Sequence, residues 1–143
     1  MSGRPDIVAA ARGWIGTPYR HQASAKGLGA DCLGLVRGVW REVIGPETAR
    51  LPAYTADWGE ARGEELLWRG ALQHLCAAGP EVAPGDVLLF RMRDGRIAKH
   101  LGIAATSQSF VHAYSGHGVL ETALSAPWAR RIVARFTFPE GTA

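Results

Sequence analysis

The feature that most constrains this chain is a change of hydrophobic period halfway along the sequence. The first half places apolar residues at helical spacing in three segments, "DIVAAARGWIG", "CLGLVRGVWREVI" and "GEELLWRGALQHLCAAG". In the second half, short apolar runs separated by turn residues follow one another: "APGDVLLFRM", "HLGIAAT", "SFVHAYS", "GVLETAL" and "RRIVARFTF". Such runs are typical of antiparallel strands. Helices followed by strands predict an α+β domain, with the helices packed on one side of an antiparallel meander.

Composition narrows the class of protein further. A length of 143 residues predicts a single domain, residues 1–143, whose core needs no disulfide or metal. The net charge of +3 is small and scattered, so we expect no nucleic-acid partner. No apolar run approaches the ~20 residues of a membrane span, and the start lacks the apolar core of a signal peptide. We therefore expect neither a membrane-spanning segment nor a signal peptide. Cys32 and Cys76 are too few for a zinc site, and no cofactor is expected.

Cys32 opens the second predicted helix, directly after Asp31, which we expect to cap it. Counting three, four, seven and eleven residues onward from the cysteine reaches only apolar residues: Leu35, Val36, Val39 and Val43. The thiol therefore lies at the end of a buried stripe, facing whatever the helix packs against. A thiol at a helix N-terminus loses its proton more easily than a free one, which suggests a nucleophile. The alternative is a small core residue.

Two histidines in adjacent predicted strands could serve such a nucleophile. If residues 106–108 form a three-residue loop, His112 lies opposite Gly102 and diagonal to His100 on the same face, within ~8 Å. Gly102 would leave room beside the imidazole rings. A loop of two or four residues would place the histidines on opposite faces. A cysteine, a histidine base and a third polar group together form the pattern of nucleophilic catalysis.

Three blocks in this order, "GTPYRH…GADCLGLV", "APGDVLLF" and "KHLGIAATSQSFVHA", resemble the NlpC/P60 family of cell-wall cysteine peptidases. The resemblance implies a papain-like core of helices on an antiparallel sheet. It also implies four catalytic residues: Cys32 as nucleophile, His100 as base, His112 as the orienting group, and Tyr19 with its hydroxyl near the nucleophile. On this reading the Cys32 backbone N–H and the Tyr19 hydroxyl stabilise the oxyanion.

The chain departs from the family pattern at three places. His21-Gln22 stands where the motif has two glycines, which points to a different loop on the substrate side. Leu33 replaces the serine that follows the cysteine, and Ala104 replaces the aromatic residue of the histidine strand.

The function implied by the resemblance is hydrolysis of peptidoglycan stem peptides, at the γ-D-glutamyl–diaminopimelate bond, without a cofactor. The segments "DCLGLVRGVWREV" and "PAYTADW" are most similar to the phage-tail and gene-transfer-agent branch. We therefore expect a protein made in the cytoplasm, carried by phage-like tail proteins and active in the periplasm. The alternatives are an amidase or acyltransferase that uses the same Cys-His pair on another amide or a lipid, and a tail component without catalytic activity.

The remaining polar and aromatic residues have ordinary structural interpretations. We expect Asp6 to cap the first helix, Asp86 to serve a turn, and His74 and Cys76 to lie on the third helix. His21 could line the cleft, and His117 is interpreted as a turn residue. Core or cleft-wall positions are expected for Trp14, Trp40, Trp58, Trp68 and Trp128. A solvated strand face is expected for Arg130, Arg131 and Arg135.

Overall fold

A computed structural model describes residues 3–47, 65–93 and 95–140. Four helices lie within these ranges: α1 (Pro5–Arg12), α2 (Cys32–Val43), α3 (Leu66–His74) and α4 (Ala126–Ala129). A small hairpin precedes α2, formed by β1 (Ser24–Ala25) and β2 (Gly29–Ala30). The main sheet consists of β3 (Cys76–Ala77), β4 (Val87–Arg91), β5 (Ala98–Thr106), β6 (Ser109–Tyr114), β7 (Gly118–Ala123) and β8 (Ile132–Thr137).

The six strands pair antiparallel in the order β3-β8-β4-β5-β6-β7. The predicted α+β class is confirmed. The predicted meander is correct from β4 to β7 and wrong for β8, which pairs with β4 instead of β7. The physical reason lies in α4, whose Trp128 packs on Phe90 and Phe110 of β4 and β6. This contact draws the chain back across the sheet before β8 begins.

Each face of the sheet buries a separate apolar cluster, as the period-two alternation of strands requires. The larger cluster contains the inner faces of α1 and α2 together with strand residues such as Leu89, Ile103 and Val111. The smaller one holds Leu88, Phe90, Ala104 and Phe110, and Trp128 of α4 packs against it. The helices thus cover one face, and a short aromatic layer covers the other.

Two glycines let α2 pack unusually closely against what precedes it. A Cβ at Gly34 would lie 1.8 Å from the Ala23 carbonyl oxygen, and a Cβ at Gly38 would lie 2.0 Å from the Trp14 ring. Trp14 fills the space at Gly38 and donates its indole N–H to Glu42 at 2.7 Å. Close packing at both positions fixes where the first turn of α2, and hence Cys32, meets the sheet.

Two predicted helix boundaries are wrong. The N-cap of α1 is Arg4, because Pro5 occupies the first helical turn, where its missing N–H costs no hydrogen bond. Asp6 lies inside that turn and accepts the Ile7 N–H at 2.9 Å. The third helix ends at His74, and Cys76 belongs to β3, which pairs with β8. No helix in the described part of the chain is both long and apolar enough to cross a membrane.

Candidate active site

Asp31 anchors the start of α2 and the loop before it at the same time. One carboxylate oxygen accepts the Gly34 N–H at 2.7 Å, which confirms the predicted cap, and the other accepts the Gln22 N–H at 2.7 Å. Gln22 has φ of 64°, in the left-handed region that favours glycine. The buried Asp31 carboxylate therefore holds the loop after Tyr19 in a conformation that glycine would adopt more easily.

The Cys32 thiol meets the sheet at one particular peptide bond. The backbone N–H of Leu101, in the peptide that joins His100 to Leu101, lowers the pKa of the thiol. The cysteine side chain is buried in the helix-side cluster, at 6% exposure. The nucleophile candidate thus lies near the residue that directly follows the base candidate His100 in the chain.

Burial controls the ionisation of this thiol. Burial and then the nearby Asp31 carboxylate raise the pKa of Cys32 to about 12, against the opposing effect of the backbone N–H groups of the helix start and of Leu101. The expectation of an easily ionised thiol is therefore wrong for the resting protein. Desolvation outweighs the helix N-terminus, and the thiol rests in its neutral form.

His100 and His112 are hydrogen-bonded to each other, Nε2 to Nδ1, at 2.7 Å. The predicted register is confirmed, since Ile103 pairs with Val111 and Ala104 with Phe110. The turn itself differs from the prediction: Thr106 pairs with Ser109, and an irregularity between Ala104 and Thr106 absorbs the extra residue. A two-residue turn with a bulge therefore gives the same facing as the expected three-residue loop.

An aromatic layer surrounds the two imidazole rings. The Tyr114 ring stacks on His112 at 5.3 Å between centroids, and the Trp128 ring lies 5.2 Å from His112 and 5.9 Å from His100. The room expected beside Gly102 is filled, because a Cβ there would come within 2.7 Å of the Phe110 ring. Glycine at this position lets the Phe110 ring pack beside the histidines. The close approach of this ring therefore explains the glycine, without an open space next to the imidazole rings.

This layer keeps both histidines neutral. Burial, and then the proximity of His112, lowers the pKa of His100 to about 3. Burial, and then His117, lowers the pKa of His112 to about 4. Neutral imidazole can accept a proton, so His100 has the form that a general base requires over the ordinary pH range.

Tyr19 packs against the helix-side cluster that includes Cys32. It forms an isolated parallel bridge with Ala30, immediately before Asp31. Burial raises the pKa of its phenol, and the proximity of Cys32 and Asp31 raises it further. The phenol is therefore a neutral O–H donor near the start of α2.

The structure places the four predicted site residues in two groups, Cys32 and Tyr19 at the start of α2 and His100 and His112 on the β5–β6 pair. It adds a residue that the sequence reasoning missed: the Thr122 hydroxyl lies 2.9 Å from His112 Nε2. The register of β6 and β7 could have revealed it, since Phe110 pairs with Thr122 and Leu120 with His112. A three-residue turn at 115–117 would have placed Thr122 diagonal to His112 on the same face of the sheet.

Other predicted roles have mixed outcomes. Asp86 serves a turn, accepting the Ala83 N–H at 2.9 Å, as expected. Arg135 is not part of a solvated face: its guanidinium lies 3.5 Å from the Asp86 carboxylate and donates to the Gly79 carbonyl.

Nδ1 of His21 lies 3.8 Å from Oδ2 of Asp31. Trp58 lies outside the described residues. Among the described residues, no group of three or more His, Cys, Asp or Glu side chains could hold a metal ion.

The lowered histidine pKa values predict a stability that falls with acid. Below pH 6.5 the unfolded chain binds protons that the folded chain does not take up at His100 and His112, so the free energy of unfolding decreases as the pH falls. Between pH 6.5 and 5, above the carboxyl range, the loss is about 2 kcal/mol for each histidine. Urea unfolding at pH 7 and pH 5 measures it. An equal or greater free energy of unfolding at pH 5 would contradict the neutral pair.

A cysteine at a helix start and a hydrogen-bonded histidine pair on an antiparallel sheet define the papain-like class of folds. Within this class the chain belongs to the NlpC/P60 family, whose family model matches residues 16–136. Among solved structures, the NlpC/P60 domain of the peptidoglycan hydrolase SagA is 27% identical, with a TM-score of 0.53 over 83% of this chain and 87% of that one. An NLP/P60-family lipoprotein-like protein of Staphylococcus aureus shares the fold, with a TM-score of 0.63 at 18% identity, covering 99% of this chain and 44% of its own.

Curated relatives include two proteins of Escherichia coli. The murein DD-endopeptidase MepS/murein LD-carboxypeptidase is 30% identical over 129 residues, which cover 85% of this chain and 59% of the relative. The probable endopeptidase NlpC is 28% identical over 111 residues, covering 78% of this chain and 62% of the relative. The chain therefore spans about three-fifths of the length of these relatives.

Proposed function

We propose that this protein is a cysteine endopeptidase that hydrolyses peptidoglycan stem peptides, with the γ-D-glutamyl–diaminopimelate bond as its target. The observation that carries the proposal is the hydrogen bond between His100 and His112 at 2.7 Å, together with Cys32 at the start of α2 in the cluster that contains Leu101, the residue after His100. The name of one relative, a murein DD-endopeptidase and murein LD-carboxypeptidase, supports the substrate class, and the name of the other, a probable endopeptidase, supports the reaction.

The reaction starts from a neutral thiol and a neutral imidazole. Nε2 of His100 is engaged with His112, so we assign the proton exchange with the thiol to Nδ1, the ring nitrogen nearer the backbone. As the Cys32 sulfur attacks the scissile carbonyl carbon, its proton passes to His100 Nδ1. The carbonyl oxygen becomes an oxyanion, and we assign its stabilisation to the Cys32 N–H and the Tyr19 hydroxyl.

Collapse of this intermediate breaks the amide bond. His100 returns the proton to the departing amine, and a thioester remains on Cys32. A water molecule then attacks the thioester, with His100 as the base, and releases a carboxylic acid and the free thiol. Because proton transfer occurs with the attack itself, the buried and un-ionised resting thiol is compatible with this sequence of steps.

The test is digestion of two defined muropeptides, with mass spectrometry of the products. Cleavage of a monomeric disaccharide-tetrapeptide between D-glutamate and diaminopimelate supports the proposed bond. The name of one relative describes a DD-endopeptidase. If the protein instead converts a cross-linked dimer to monomers, the proposed bond is wrong, while peptidoglycan remains the substrate class. If the folded protein cleaves neither muropeptide, the peptidase proposal fails.

We also propose that the protein works as part of a phage-like tail, which holds it at the wall in the periplasm. The support is the sequence resemblance of "DCLGLVRGVWREV", which comprises Asp31 and the whole of α2. The second segment of that resemblance, "PAYTADW", lies outside the described residues. Fractionation of particles from the source cells tests the association. Recovery of the protein away from tail-containing particles would rule it out.

A further inference from the structure

We propose that Thr122 is a positioning residue for the histidine pair: its hydroxyl accepts the Nε2–H of His112 and thereby keeps His100 Nδ1 free of its proton. This inference rests on the proposed function, since it assigns a task to a side chain that does not itself touch the reacting atoms. The role concerns which nitrogen of each ring carries hydrogen.

The contacts form a continuous chain along one face of the sheet. His100 Nε2 lies 2.7 Å from His112 Nδ1, and His112 Nε2 lies 2.9 Å from the Thr122 hydroxyl oxygen. The pairing of Phe110 with Thr122 places the threonine diagonal to His112, so the strand register itself builds the last contact. Threonine is β-branched, which restricts its side-chain rotation and holds the hydroxyl in place.

Only one direction of this hydrogen-bond chain suits the proposed reaction. When Thr122 accepts, His112 carries its proton on Nε2, and its Nδ1 can accept the Nε2–H of His100. His100 Nδ1 then has a free lone pair for the thiol proton. When the chain runs the other way, His112 carries its proton on Nδ1 and His100 carries its own on Nδ1, where it blocks transfer from Cys32.

The same hydrogen bonds also stabilise the intermediate in which His100 is protonated. The imidazolium donates from Nε2 to His112, and the hydrogen bond from His112 to Thr122 keeps the Nδ1 lone pair of His112 directed at it. A group that orients the partner of a base acts in this way without contacting the substrate. Loss of the Thr122 hydroxyl would leave the His112 Nε2–H without this acceptor in a buried site, which favours the unproductive tautomer.

The first test is the tautomer of His112, read from its imidazole nitrogen and carbon-bound proton shifts in ¹⁵N-labelled protein at pH 7. We expect the Nε2–H form in the wild type and a shift toward Nδ1–H in Thr122→Val, which has the same shape without the hydroxyl. Thr122→Ser should restore the wild-type spectrum. A wild-type His112 protonated on Nδ1 would overturn the inference, whether or not any variant folds.

The second test is kinetic, on the muropeptide that the wild type cleaves. Thr122→Val should lower kcat by about three- to tenfold with little change in KM, and Thr122→Ser should recover most of the loss. Thr106→Val is the matched control, because it deletes an exposed hydroxyl that bonds Ser109 at 2.9 Å, in the hairpin turn. Equal kcat values for the wild type and Thr122→Val, or failure of the serine variant to recover, would overturn the inference.

The two tests separate this inference from the proposed function. A protein that cleaves no muropeptide would refute the peptidase proposal, while the His112 tautomer would still be measurable. A protein that cleaves muropeptides with an Nδ1-protonated His112 would keep the peptidase and refute the role of Thr122.

Discussion

Cys32→Ala is expected to reduce muropeptide hydrolysis by at least about a thousandfold, to the level of a protein that binds substrate without a nucleophile. The sulfur is the atom that forms the covalent bond to the carbonyl carbon, and alanine supplies no substitute. The variant should still fold, because alanine favours helices and is smaller than the buried thiol, at a cost of about 1 kcal/mol. Product formation by mass spectrometry, with urea unfolding of the same preparation, measures both effects.

Cys76 is the matched control for this change. It is an exposed cysteine on the short strand β3, and Cys76→Ala should leave hydrolysis at the wild-type rate. Activity that survives in Cys32→Ala would remove the nucleophile from the proposed reaction, and with it the cysteine-peptidase assignment.

Alkylation of the wild type distinguishes the neutral thiol from a preformed thiolate. Because burial raises the pKa of Cys32 to about 12, while Cys76 is exposed, iodoacetamide should label Cys76 first at neutral pH. Faster labelling of Cys32 at mildly acidic pH would show that a thiolate already exists at rest, and the proton transfer would then precede substrate binding.

The facing of His100 and His112 could be predicted because it depends on local geometry. Strand side chains alternate, so the length of one turn decides whether two histidines share a face. The turn turned out to have two residues with a bulge at 104–106, yet the bulge restores the facing that the three-residue loop would have given. The same counting across the turn at 115–117 would have reached Thr122.

What the sequence could not predict depends on contacts between distant segments. The ionisation of Cys32 follows from how completely α2 is buried against β5, and a helix N-terminus examined alone indicates the opposite shift. The place of β8 depends on Trp128 packing over Phe90 and Phe110, three residues that come together only in the folded sheet. Neither the ionisation of Cys32 nor the position of β8 in the sheet can be predicted from local sequence patterns.

His100→Ala is expected to lower the hydrolysis rate by about a hundred- to ten-thousandfold, because it removes the acceptor of the thiol proton and the donor to the leaving amine. The neutral Cys32 thiol cannot attack efficiently without that acceptor, since burial opposes its ionisation. The measurement is kcat/KM on the same muropeptide, with urea unfolding to confirm that the variant is folded.

Substitution of His112 tests whether the two histidines have different tasks. His112→Asn and His112→Gln keep a polar group that can accept the Nε2–H of His100, so they should retain more activity than His112→Ala. All three should retain more than His100→Ala, because a residue that orients the base contributes less than the base itself. If His100→Ala stays near the wild-type rate while His112→Ala is inactive, the roles are reversed. In that case the proton from Cys32 would have to reach the inner histidine, which lies on β6 and is fully buried beneath the aromatic layer.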